Sequence, residues 1–72
     1  MTDEERAERR KVILEVLDAE KEKGYDAISQ FTGYLCTGEP TYLTTHRNAR
    51  RVAGTFDRDE LIEELLTAYI DG

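Results

Sequence analysis

An all-α domain of about four helices is the fold that this sequence of 72 residues predicts, and three observations carry it. No segment alternates apolar and polar residues over a useful length, so strands are not expected. Thr2 to Lys23 contains neither Gly nor Pro and consists mostly of good helix formers. Leu61, Ile62, Leu65, Leu66, Tyr69 and Ile70 recur at the i, i+3, i+4 spacing of an amphipathic helix.

The first helix is placed at Thr2 to Lys23. Thr2 with Glu5 three residues on has the form of a capping box, and Asp3, Glu4 and Glu5 lie where the helix dipole favours anions. Its first half is charged on all sides, with Glu5 and Arg9 spaced for an ion pair. Apolar residues begin at Val12, Ile13, Val16 and Leu17, so the first turns are expected to project from the core. Gly24 ends this helix. The second runs from about Asp26 to Cys36, with Ile28, Phe31 and Leu35 on its inner face and Gly33 marking a close packing contact. Tyr25 and Tyr34 are expected in the core. Gly38 and Pro40 open a loop from Glu39 to Leu43 that carries Tyr42. Thr44 or Thr45 is expected to cap a third helix ending at Gly54, with a small inner face of Ala49, Val52 and Ala53. The last helix has Asp57 as N-cap, Glu60 three residues on, and Phe56 placed to staple onto Leu61. The short second helix, glycine-containing turn and arginine-bearing third helix give the middle a helix-turn-helix-like cast.

At this length only one core can form, so residues 1–72 are one domain. Leu, Ile, Val and Phe account for only 16 of the 72 residues, and a core this small commonly gains burial by pairing chains. A homodimer is therefore expected, burying parts of the stripes Val12, Ile13, Val16, Leu17 and Leu61, Leu65, Leu66, Tyr69.

The net charge of −6 and a pI near 4.7 weigh against nucleic acid or a membrane surface as partner. Cys36 is the only cysteine, so no internal disulfide can form. No apolar run approaches a membrane span, and the acidic start at Met1 to Glu5 is unlike a signal peptide. A cytoplasmic protein is expected. His46 is the only histidine and lies on a different element from Cys36, no metal-ligand spacing occurs, and the glycines are isolated. Neither an enzyme nor a cofactor or metal is predicted.

Charge is uneven along the chain. Thr41 to Thr55 carries Arg47, Arg50 and Arg51 and no acid, whereas Phe56 to Gly72 carries six acids against Arg58. Ion pairing between these segments, within or across subunits, is the first expectation, with Arg50 tied to the acidic last helix. The alternative is an exposed anion-binding patch for a phosphorylated peptide or a nucleic-acid backbone. Tyr42, His46, Arg47, Arg50 and Arg51 are the candidate partner-binding residues.

Read together, Glu22-Lys23-Gly24-Tyr25, Gly33-Tyr34-Leu35, Thr37 to His46, Asn48-Ala49-Arg50 and Arg58-Asp59-Glu60-Leu61 closely resemble the IreB family, also called ReoM, of Gram-positive bacteria. The resemblance covers Val12 to about Ile70 and leaves residues 1–11 outside it as a charged helical extension. It implies a small all-helical homodimer without enzymatic activity, acting through regulatory or target proteins. Family members are substrates of the Ser/Thr kinase with PASTA repeats and influence cell-wall synthesis and cephalosporin resistance, in some cases by controlling Clp-dependent proteolysis, which implies a protease adaptor among the partners. The family carries phosphorylatable threonines in an arm ahead of the first helix. Here Thr2 is the only threonine before residue 32 and is the one candidate phosphosite, with helix capping as its other reading. Asp26-Ala27 stands where the family has Asn-Pro, and Glu39 where it has Asp. A small helix-turn-helix-like nucleic-acid-binding regulator is the alternative.

Overall fold

A computed structural model describes residues 1–71. It contains four α-helices, α1 (Asp3–Glu22), α2 (Ala27–Thr37), α3 (Ala49–Ala53) and α4 (Arg58–Asp71), with two single turns of 3-10 helix at Pro40–Tyr42 and His46–Asn48. A 20-residue helix is ~30 Å long, and the longest dimension of the molecule is 31 Å. The long first helix is thus the spine, against which the other three helices pack.

Three of the four predicted helix starts hold. Thr2 Oγ1 accepts the Glu5 N–H and Glu5 Oε1 accepts the Thr2 N–H, each at 3.1 Å, which completes the capping box. Asp26 caps α2 by accepting the Ser29 N–H, and Gly38, left-handed at φ 75°, ends it. At α4 the Glu60 carboxylate accepts the Asp57 N–H, while the Glu60 N–H donates to Asp59.

Val12, Ile13, Val16, Phe31, Tyr34, Leu43, Ala53 and Leu61 form the core, with Leu17, Leu35, Val52 and Phe56 against it. The small face expected of the third helix is there: Ala49 and Ala53 are buried where α3 crosses α1. Other expectations are corrected. Ile28 is 67% exposed, because α2 turns Ala27, Phe31 and Tyr34 inward. Tyr25 is 52% exposed beyond the end of α1. The third helix begins only at Ala49, since Arg47 and Asn48 both adopt left-handed backbone, at φ 55° and 56°. A left-handed non-glycine residue costs ~1–2 kcal/mol, with Asn among the more tolerant.

The charged first turns of α1 do not project from the core either. Arg6 donates Nε and Nη2 to the two oxygens of Glu64 at 2.8 and 3.2 Å. Arg9, almost wholly buried, donates to Glu60 at 2.9 Å and stands over the Phe56 ring, 5.8 Å from its centroid. Among the described residues the acidic helix α4 therefore draws its counter-charges from α1 and not from the arginines of residues 41–55, and the expected tie between Arg50 and α4 is absent there.

Candidate functional site

Tyr42, Leu43 and Thr44 connect α2 to α3, and each of their backbones is held by a side chain from a different helix. Gln30 of α2 donates Nε2 to the Tyr42 carbonyl at 2.8 Å. Arg50 of α3 donates Nε to the Leu43 carbonyl at 2.8 Å. Glu20 of α1 accepts the Thr44 N–H through Oε1. Outside regular helix or sheet, backbone groups must find partners elsewhere, and these side chains supply them. Leu43 sinks into the core between its two neighbours. The segment is fixed from within while Tyr42 stands at the surface.

Glu20 is fully buried and its Oε2 has no hydrogen-bond partner. A buried polar atom left unsatisfied is costly. What this carboxylate secures is the position of Thr44, whose hydroxyl in turn accepts the His46 N–H at 3.1 Å. Tyr42 is held by packing as well: a Cβ built on Gly33 would lie 2.5 Å from its Cε1. The glycine expected to mark a close contact thus makes it with the Tyr42 ring.

His46 and Arg47 converge on one acid. His46 Nε2 lies 2.8 Å from Oε1 of Glu22, and Arg47 Nη1 donates to Oε2 at the same distance. The hydrogen bond from His46 and the nearby Arg47 charge hold the Glu22 carboxyl below its ordinary value. This clamp on the last turn of α1 fixes the left-handed turn that redirects the chain into α3. Arg50 and Arg51 are exposed, and among the described residues no carboxylate pairs with either. Of the five candidate partner-binding residues, then, Tyr42 and Arg50 line one hollow, His46 and Arg47 are engaged with Glu22, and Arg51 on α3 has no carboxylate partner among the described residues.

The residues expected to meet a second chain divide into two groups. Val12, Ile13, Val16 and Leu61 are buried in the chain's own core, with Ile13 also lining a hollow beside Leu14, Leu17 and Leu65. Leu17 is half-buried, whereas Leu65, Leu66 and Tyr69 are exposed along α4, with Ile62, Ile70 and Leu14 of α1 also in solvent. Thr2 is exposed and engaged as the cap of α1.

Sequence reasoning missed Glu20, Gln30 and Glu22, which hold the backbone and side chains of this surface in position. A family model described as IreB regulatory phosphoprotein matches residues 1–71. The chain belongs to the IreB family. It is also similar to a UPF0297 protein of Ruminiclostridium cellulolyticum, 43% identical over 68 residues, which cover 94% of this chain and 77% of the relative. The IreB match begins at Met1, so it takes in the charged turns of α1 that pair with α4. Membership supports a regulatory role and speaks for protein partners. No helix of this IreB chain among the described residues is long and apolar enough to cross a membrane. A nucleic-acid-binding role gains no support: α3 has five residues, and the nearby Arg47 and His46 are engaged with Glu22.

Proposed function

We propose that this chain is a non-enzymatic regulator that works by binding proteins through the surface from Tyr42 to Arg51. Family membership over residues 1–71 carries the reading. It further suggests a place downstream of a PASTA-type Ser/Thr kinase in the control of cell-wall synthesis and cephalosporin resistance, with Clp-dependent proteolysis as the output. The geometry supports a recognition surface because Tyr42 and Arg50, residue types that dominate binding hot spots, are presented on backbone already fixed by Glu20, Gln30 and Arg50 itself. Little ordering entropy then remains to be lost on binding.

The test is capture of partners from a lysate of the source cells by wild type, Tyr42→Ala and Arg50→Ala, each with its melting temperature measured. Lost partners with unchanged melting support the surface. A melting drop of several degrees, with partners retained in the cold, defeats it.

We also propose a homodimer, joined along the exposed Leu65, Leu66 and Tyr69 of α4 with Leu17 beside them. A soluble chain this small seldom leaves such an apolar row uncovered. Sedimentation at tens of micromolar is expected to give a dimer; a monomer whose stability is indifferent to dilution would contradict it.

A further inference from the structure

The surface from Tyr42 to Arg51 contains a hollow of about 350 Å³, walled in part by Tyr25, Gln30, Tyr42, Thr44, Thr45 and Arg50. We propose that this hollow binds the phosphoryl group of a phosphorylated serine or threonine on a partner protein, with Arg50 as its charge anchor. The inference rests on the protein-binding reading of the surface and names the ligand chemistry.

The argument begins with an unpaired charge. In a chain with sixteen acids, Arg50 has no carboxylate partner among the described residues. Its Nε is committed to the Leu43 carbonyl, which fixes the guanidinium plane and leaves both terminal nitrogens to donate. A planar fork of this kind suits paired oxyanion oxygens. No acid lines the hollow. Hydroxyls do: Thr44 accepts from the His46 N–H, so its own proton is available, and Thr45 has no partner for its hydroxyl among the described residues. Several donors around one guanidinium match three phosphoryl oxygens better than the two of a carboxylate. The walls are set in advance, because Tyr42, Leu43 and Thr44 are the three positions pinned from α2, α3 and α1.

The surroundings define the partner further. Glu39, which accepts from both the N–H and the hydroxyl of Thr41, stands beside the hollow that Thr41 helps to line. Its charge disfavours polyanions and acidic peptides, so the fitting ligand is a single phosphoryl group on an otherwise neutral or basic segment.

The test uses a fluorescent heptapeptide, Ala-Lys-Ala-phosphothreonine-Ala-Lys-Ala, its unphosphorylated form, and inorganic phosphate as competitor. The phosphopeptide is expected to bind at least tenfold more tightly than the unphosphorylated peptide, and Arg50→Ala to remove that difference. Because Arg50 also supports Leu43, Thr45→Val serves as the second variant; it should weaken the phosphopeptide several-fold with an unchanged melting temperature. Lys11→Ala, an equal charge loss on α1, should leave binding as it was. Equal binding of the two peptides, an equal loss from Lys11→Ala, or inorganic phosphate bound as tightly as the peptide would overturn the proposal. Repeating the lysate capture after phosphatase treatment separates the two readings. Partners still captured by wild type and still lost by Arg50→Ala leave the surface standing and remove its phosphoryl specificity.

Discussion

The carboxylate of Glu20, buried in α1, accepts the backbone N–H of Thr44, twenty-four residues away. This bond joins the spine of the domain to the segment that carries its candidate recognition residues. Glu20→Ala orphans the Thr44 N–H, a loss of about 1–3 kcal/mol. At ~4–8 °C per kcal/mol in a domain of this size, the melting temperature should fall by several degrees. Glu20→Gln keeps an acceptor and removes a buried acid, so it should melt at or above the wild-type temperature. A fall with Gln equal to that with Ala would contradict the assignment.

Gly33 and Tyr42 should be coupled. Alanine in a helix interior is ordinarily favoured over glycine by about 1 kcal/mol, but a Cβ on Gly33 would overlap the Tyr42 ring. Gly33→Ala is therefore expected to destabilise the wild type and to stabilise the Tyr42→Ala variant. A double-mutant cycle in urea measures this change of sign.

Acid should loosen the joint between α1 and α4. The Arg6 hydrogen bond, with the Arg6 charge behind it, holds the Glu64 carboxyl below its ordinary value of 4.5. A depressed folded-state value adds stability that is fully present above the unfolded value and lost as pH falls through the folded one. Glu22, lowered by the hydrogen bond from His46, and Glu5, lowered by its bonds to Thr2, act in the same direction. Melting temperature is thus expected to hold near neutrality and to decline below about pH 4.5. Glu64→Gln should flatten that decline. An unchanged acid limb in this variant would show that the pair does not set it.

The periodicity of the chain made the helices legible, and the cap signals at Thr2 and Asp57 placed the starts of α1 and α4. What escaped notice has physical reasons. The stripe through Val12, Ile13 and Val16 continues at helical spacing to Arg9 on one side and Glu20 on the other, and both are buried. A reading keyed to apolar side chains stops short of them, so it left the first turns of α1 unattached and overlooked the anchor of Thr44. In α2 two stripes overlap, one through Ile28, Phe31 and Leu35, the other through Ala27, Phe31 and Tyr34. Residue size favoured the first, and packing selected the second. The left-handed pair Arg47-Asn48 had one local signal, the tolerance of Asn for that region, which does not announce that its arginine neighbour will share it. Bonds such as Gln30 to Tyr42 depend on how helices pack, and no local pattern encodes them. The candidate residues from Tyr42 to Arg51 could be named from charge and turn chemistry, but their supports could not.

Amide hydrogen exchange at Thr44, followed by NMR in the free protein, tests most directly whether the recognition surface is shaped before any partner arrives. The Thr44 amide is expected to exchange at a rate approaching those of amides within α1, and Glu20→Ala should accelerate it by about an order of magnitude or more. A Thr44 amide that exchanges as fast as an open loop, and is indifferent to Glu20→Ala, would contradict a surface held in place by its three helices.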